Sequence, residues 1–158
     1  MIFVALGTQK FQFNRLLQMI DQLLADGKIA EPVFAQIGNS DYEPRNFQYA
    51  SFLDKNEFEK KIRECDVLIT HSGVATIIAG LKNDKKVIVV PRLAKYGEHI
   101  NDHQTQIIAK FNSLGYIIGL QDVEELAEAL TKVKKFKPNK FVHDNSKMLN
   151  LVSKLIDK

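Results

Sequence analysis

The stretch DVLITHSGVATIIAGLKNDKKVIVVP, residues 66–91, decides the fold. DVLIT (66–70) is an apolar run that reads as a strand, and it stops at a His-Ser-Gly turn. Thr76 to Leu81 read as helical. KVIVVP (86–91) is the clearest strand of the chain and ends at Pro91. A strand that is apolar on successive residues is buried on both faces, as strands are in a parallel sheet. Strand, helix and strand in that order make a βαβ unit.

The same alternation extends to both sides. IFVAL (2–6) is a continuous apolar run that stops at Gly7. Phe13, Leu16, Leu17, Ile20, Leu23 and Leu24 follow at helical spacing, and Gly27 ends that segment. VFAQI (33–37) is a second strand, and FQYASF (47–52) a third with aromatic residues that favour strands. Asn56, with Glu59 three residues on, reads as a helix start carrying Phe58 and Ile62. Beyond Pro91, Ile107, Ile108, Phe111 and Leu114 give a helix stopped by Gly115, and YIIGL (116–120) a short strand. Asp122 and Glu125 begin a helix with Leu126, Leu130 and Val133 inward. Met148, Leu149, Val152, Leu155 and Ile156 make a last helical stripe, a C-terminal helical tail from about residue 140. The fold class is α/β, a doubly wound parallel sheet in a single domain over 1–158.

At 158 residues and 45% hydrophobic, the chain can bury one sizeable core. A net charge of +3 does not by itself imply nucleic acid, and no aromatic-plus-basic repeat or zinc-ligand spacing is present. Cys65 is the only cysteine, so an internal disulfide is excluded, which fits a reducing, cytosolic setting. The apolar N-terminal run is too short for a signal h-region, and no stretch approaches the ~20 apolar residues of a membrane span. The chain is expected to be soluble. The lysine-rich KVKKFKPNK (132–140) reads as a helix end and a connection with a solvated face.

In doubly wound sheets, ligands bind outside the carboxyl ends of the strands. The unusual residues of this sequence collect there: GTQ (7–9), GNS (38–40), HSG (71–73) and PRLAKYGEHINDHQ (91–104) each follow a strand. In THSGVAT (70–76) a strand meets a glycine and then a helix. Glycine lets the backbone approach a ligand, and a helix N-terminus offers unpaired N–H groups and partial positive charge, which together hold phosphate. Thr76 and His71 would add a hydroxyl and an imidazole N–H. The plain alternative is a tight turn with a capping Thr76 and a satisfied core histidine. Neither G-x-G-x-x-G nor the Gly-Lys-Ser/Thr of a P-loop is present. YGEHINDHQ (96–104) places Glu98, His99, Asn101, Asp102, His103 and Gln104 just before a helix, a set suited to sugar hydroxyls. A metal is less well served, since no third ligand accompanies the His-x-x-x-His pair. A solvated loop with an N-cap at Asn101 or Asp102 is the alternative. GTQKFQF (7–13) either lines the same pocket with Thr8 and backbone amides or is a plain loop with Phe11 and Phe13 in the core.

GTQKFQFNRLL, THSGVATII, VIVVPR and KYGEHINDHQ together resemble the C-terminal, donor-binding half of GT-B glycosyltransferases of the MurG type. The sequence is most similar to the free-standing form, the PssE-like subunit of bacterial capsule and exopolysaccharide glycosyltransferases. It is also similar to the catalytic subunit of the two-part eukaryotic enzyme that adds the second GlcNAc to a dolichol-linked acceptor. The resemblance covers residues 1 to about 120 well and the tail loosely. It implies a Rossmann-like GT-B half-domain that binds a UDP-sugar as substrate, with no cofactor and no metal. A membrane-anchored, PssD-like partner would supply the acceptor half and a polyprenyl-diphosphate-linked sugar. The chain would then sit in the cytoplasm, peripheral to the membrane through that partner.

Carried over residue by residue, the resemblance implies a diphosphate held by Gly73 to Thr76, with His71 and Ser72 beside it. His103 and Gln104 would meet the sugar hydroxyls, with Glu98 nearby, and Gly7 and Thr8 would close the pocket. Arg92 would neutralise phosphate or pair with a local acid, and the base would lie near the loop after Phe52. The MurG-type pattern His-Ala-Gly-x-Gly-Ser-x-x-Glu ends in a ribose-binding glutamate; here Ala75 replaces its second glycine and Ala79 its glutamate. Either another residue binds the ribose or donor binding is weak without the partner. Inverting transfer of a hexose is the reaction implied, with the base on the partner. A non-catalytic enhancer of a partner transferase is the rival reading, and a flavodoxin-like or other nucleotide-binding domain a third.

Overall fold

A computed structural model describes residues 1–8, 10–71, 73–97 and 103–139. The elements in chain order are β1 (Ile2–Ala5), α1 (Asn14–Ala25), β2 (Val33–Gln36), β3 (Gln48–Ala50), α2 (Lys55–Glu64), β4 (Val67–Thr70), α3 (Val74–Lys82), β5 (Lys86–Val89), α4 (His103–Ser113), β6 (Ile118–Gly119) and α5 (Leu126–Val133), with 3-10 turns at Ala94–Tyr96 and Val123–Glu125. The six strands form one parallel sheet in the order β3-β2-β1-β4-β5-β6. The expected doubly wound sheet is therefore present, and its order reverses between β1 and β4. The proposed C-terminal tail lies outside the described residues.

The central strands are buried because each carries apolar side chains to both faces. All four residues of β1 and of β4 are buried. On one face Val4, Leu6, Ile69 and Ile88 pack with Leu16, Leu17 and Ile20 of α1 and Leu126 and Val133 of α5. On the other, Phe3, Leu68, Val87 and Val89 pack with Ile62 of α2, Ile77 and Leu81 of α3 and Phe111 of α4. Each fully buried Leu, Ile or Phe contributes about 1.5–3 kcal/mol. Phe3 meets the ring of Phe58 edge-on at 5.5 Å, which joins α2 to the first strand. Helix α3 lies close to the sheet because Gly80 has no side chain: a Cβ there would come within 2.7 Å of Leu68 and 2.9 Å of Val87.

The element ends differ from the sequence reading where local hydrogen bonds decide them. Helix α2 starts one residue before Asn56, at Lys55, because Asp54 accepts from the Glu57 amide at 2.7 Å. Helix α3 starts at Val74 with Gly73 as N-cap, so Thr76 is the third helical residue and not the cap. Strand β6 keeps only two of the five expected residues. The Tyr116 amide instead bonds Phe111 O and closes α4, and Asn112 Oδ1 takes the Gly119 amide.

The β2–β3 connection is tied back to α1 by one buried acid. Asp21, 5% exposed, accepts from the Tyr42 hydroxyl at 2.6 Å and from the amides of Arg45 and Asn46 at 2.9 Å each. Burial alone would raise the Asp21 carboxyl, but these donors outweigh it and hold it below the ordinary aspartate range.

Candidate functional site

The sheet's reversal point lies between the carboxyl ends of β1 and β4, where ligands enter such folds. The two strands deliver Gly7 and His71 there, and the structure packs them together. The imidazole of His71 is 4% exposed. It lies between two glycines: a Cβ on Gly7 would be 2.5 Å from His71 Nε2, and one on Gly73 would be 2.6 Å from the same atom. Gly7 has φ +76, a left-handed conformation that disfavours any side chain. The loop after β2 joins the cluster, since a Cβ on Gly38 would be 2.5 Å from Gly7 O. Asn39 Nδ2 donates to Thr8 O at 3.5 Å, and Thr8 itself is exposed at the rim.

Helix α3 leaves this cluster with its first N–H groups toward the carboxyl edge. The Gly73 carbonyl accepts from Ile77, the first intrahelical bond, so Val74, Ala75 and Thr76 have no such acceptor. Gly73 brings no capping side chain, and no acid lies in the first turn. Helix α1, beginning at the same edge, is different. The Gln12 side chain takes the Asn14 amide at 2.8 Å, and buried Ser40 takes the Phe13 amide at 2.8 Å. The α3 terminus is thus the one of the two suited to an external anion.

The structure places Arg92 beneath the loop after β1. It is 1% exposed, and its guanidinium donates to backbone: Nη1 to Phe11 O at 2.7 Å and Gln12 O at 3.3 Å, and Nη2 to Leu6 O. It also stacks over Phe13 at 5.2 Å. A fixed planar fork of donors suits three carbonyls of one loop, and that is where it is used. Arg92 therefore holds the 6–12 segment to the end of β5, under Gly7.

Of the other expected site residues, Thr76 is half-buried in the first turn of α3. Ser72 and Glu98 lie outside the described residues. His103 and Gln104 open α4, and their side chains are also outside the described set. Ala79 lies on a small cleft of about 230 Å³ with Phe58, Glu59 and Ile62 of α2. Phe52, 51% exposed, follows β3 at the carboxyl edge. Among the described residues no group of three or more His, Cys, Asp or Glu could hold a metal ion. No described helix is long and apolar enough to cross a membrane.

Sequence reasoning passed over Gly80 and Arg15, and gave Gly38 and Tyr96 only as parts of GNS (38–40) and YGEHINDHQ (96–104). The Gly38-Asn39 pair was a visible turn signal, but its contact is with another loop, which spacing does not reveal. Arg15 and Tyr96 are 81 positions apart and meet only in the fold, with the guanidinium 4.1 Å from the ring.

A cleft of about 590 Å³ opens at the opposite edge, lined by Lys28, Asp66, Lys85, Lys86 and Lys134 among others. Its size does not make it the better site. The carboxyl edge carries the buried polar groups and the glycine contacts.

Comparison with known proteins identifies the fold and the family. Two curated relatives are each named UDP-N-acetylglucosamine transferase subunit ALG13. The one from Candida glabrata is 36% identical over 70 residues, 44% of this chain and 33% of the relative. The one from Candida albicans is 28% identical over 112 residues, 71% of this chain and 35% of the relative. The chain thus spans about a third of the length of these relatives. Among solved structures, the NMR structure of ALG13 superposes with a TM-score of 0.62 at 17% identity, covering 99% of this chain and 96% of that one. MurG from Acinetobacter baumannii gives 0.56 at 18% identity over 83% of this chain and 40% of that one. These likenesses establish a GT-B-like half-domain fold. Residues 1–157 match the glycosyltransferase family 28 C-terminal domain, and the chain belongs to that family.

Proposed function

We propose that this chain is the donor-binding half of a two-part glycosyltransferase that moves a hexose from a UDP-sugar to a lipid-linked acceptor. The observation that carries the reading is the seat at the sheet's reversal point. There Gly7 and Gly73 enclose His71, and an acid-free helix N-terminus opens beside them. That arrangement suits a nucleotide diphosphate, with Gly73 to Thr76 as its seat and Gly7 and Thr8 closing the near side. The buried Arg92 charge lies under the same loop and adds to the attraction. His103, Gln104 and Glu98 meet the sugar, Ser72 adds a hydroxyl at the turn, and the loop after Phe52 marks where the uracil ring lies. UDP-N-acetylglucosamine is the first donor to try, after the name of the Candida relatives.

The transfer is inverting and needs no metal. As the glycosidic bond breaks, charge grows on the departing diphosphate, and the α3 terminus stabilises it. The base belongs to the acceptor half. That half is a membrane-anchored, PssD-like partner presenting a polyprenyl-diphosphate-linked sugar for exopolysaccharide or capsule synthesis. The chain works in the cytoplasm, peripheral at the inner face of the membrane through that partner.

Reconstituted with its partner, the Gln104→Ala and His103→Ala variants are expected to lose about tenfold to a hundredfold in transfer rate with the fold intact by circular dichroism. Full activity in both would overturn the site assignment. Ala79, where MurG-type relatives have a glutamate, supports a second reading in which the chain only enhances a partner transferase. Titration of the isolated chain with UDP-N-acetylglucosamine separates the two, since an enhancer would not bind it.

A further inference from the structure

The loop after β1 is held at the peptide that enters it. Leu6 still bonds the sheet, its amide donating to Gln36 O at 3.1 Å. Its carbonyl accepts from Arg92 Nη2. That carbonyl and the Gly7 N–H belong to one trans peptide, in which the two groups point in opposite directions. Arg92 lies beneath the loop, 1% exposed, so the Gly7 N–H points away from the buried guanidinium. Among the described residues that N–H has no hydrogen-bond partner. Backbone donors at an enclosed position rarely stay unpaired unless solvent or a ligand takes them.

Arg92 can hold this peptide because the guanidinium is itself held. Nη1 donates to Phe11 O at 2.7 Å and to Gln12 O at 3.3 Å, and the group rests 5.2 Å from the ring of fully buried Phe13. Ser40 Oγ, from the loop after β2, takes the Phe13 amide at 2.8 Å and fixes that ring's backbone. The plane of the fork is thus set from the far end of the loop and applied at the near end. Gly7 is half-buried and Thr8 exposed, so the Gly7 amide is open to a ligand. Gly7 and Gly73 lie against the same atom, His71 Nε2, which brings the Gly7 amide and the start of α3 around one imidazole.

We infer that the Gly7 N–H is a hydrogen-bond donor to the diphosphate, and that Arg92 is the positioning residue that aims it. This inference rests on the donor reading above. The part played by Arg92 is geometric as well as electrostatic. A lysine would keep the positive charge, but its ammonium is a point on a flexible stem and does not hold the carbonyls of Leu6, Phe11 and Gln12 in one plane. Without the fork the Leu6–Gly7 peptide is free to rotate, and its N–H leaves the seat.

The test has two arms on the isolated chain. In the first, UDP and inorganic pyrophosphate are titrated by calorimetry into the wild type, Arg92→Lys and Val133→Ala. Val133, 4% exposed in α5, serves as a stability control remote from the loop. Arg92→Lys is expected to weaken UDP and pyrophosphate by the same factor, about tenfold, while Val133→Ala binds both as the wild type does. Wild-type affinity in Arg92→Lys shows that charge alone acts and overturns the inference. So does a loss confined to UDP, or an equal loss in Val133→Ala. The second arm needs no variant and decides the matter if Arg92→Lys does not fold. In the NMR spectrum of the wild type, pyrophosphate and UDP are each expected to move the Gly7 amide proton downfield, with the amides of β5 unmoved. A Gly7 signal that stays in place at saturation with UDP overturns the inference and leaves the donor reading standing. Wild-type protein that binds neither ligand overturns both together.

Discussion

The two edges of the sheet carry opposite designs. At the carboxyl edge the backbone comes close to side chains: His71 is wedged between Gly7 and Gly73, and Arg92 is buried against three carbonyls. At the amino edge there is more empty space, a cleft of about 590 Å³, but its charges are solvated. Lys85 donates to Arg63 O at 2.8 Å and Lys86 to Lys134 O at 3.3 Å, both at exposed positions. Open volume costs a fold little. Burying a guanidinium is costly, and such a cost persists where a loop geometry is required. The difference teaches that buried charge and close glycine contacts, not open volume, mark the edge on which the proposed site is built.

Paired substitutions break or sharpen this contrast, and the largest effect is expected at the buried cation. Arg92→Met keeps the volume and leaves the carbonyls of Leu6, Phe11 and Gln12 without their donor. It is expected to cost about 3–5 kcal/mol in urea unfolding. Lys85→Met at the other edge should cost about 0.5 kcal/mol or less. Equal losses would remove the distinction between the edges.

A glycine pair comes next. Gly7 and Gly27 have nearly the same conformation, φ +76 and φ +72, but a Cβ on Gly27 meets nothing within 4 Å. Gly27→Ala should cost only backbone strain, about 1 kcal/mol, while Gly7→Ala adds a collision with His71 and should cost about 2–4 kcal/mol. Gly7→Ala should also abolish UDP binding, which Gly27→Ala should leave unchanged. If the two variants unfold at the same urea concentration, the wedge at His71 contributes nothing.

The smallest effect concerns reactivity at the amino edge. Cys65 lines the cleft there but is 1% exposed, with Sγ donating to Ile62 O at 3.2 Å. Burial pushes its thiol up to about 11. The native protein at pH 8 then carries about one part in a thousand of thiolate, so a thiol reagent should react at least about a hundredfold more slowly than with the urea-unfolded chain. Rapid labelling of the native protein would mark the amino edge as a reactive site and weaken the contrast.

Most of the fold was legible because its signals are local. The aliphatic runs of β1, β4 and β5 and the stripe of Leu16, Leu17, Ile20 and Leu23 name their elements and their burial without knowledge of neighbours. Element ends were less legible. Asp54 displaced Asn56 and Gly73 displaced Thr76 because caps are decided by single hydrogen bonds. The loops of the carboxyl edge were visible as a set, since each follows an apolar strand.

What the sequence by itself determined is the alternation of buried strands and amphipathic helices, hence a parallel sheet with its polar loops on one edge. What only the tertiary structure decided is how those loops use their residues. Arg92 carries a charge that in sequence suits a phosphate or an acid, and the fold adds three carbonyls of a segment some 80 positions away as its acceptors. His71 reads in sequence as either a ligand-facing or a satisfied core histidine, and the fold packs it between two glycines. Arg15, Tyr96 and Asp122 show no pattern in sequence and form one strap in space. The physical reason is range: periodicity and capping act within a few residues, whereas the packing of a buried polar group is set by whichever loops the sheet order brings beside it.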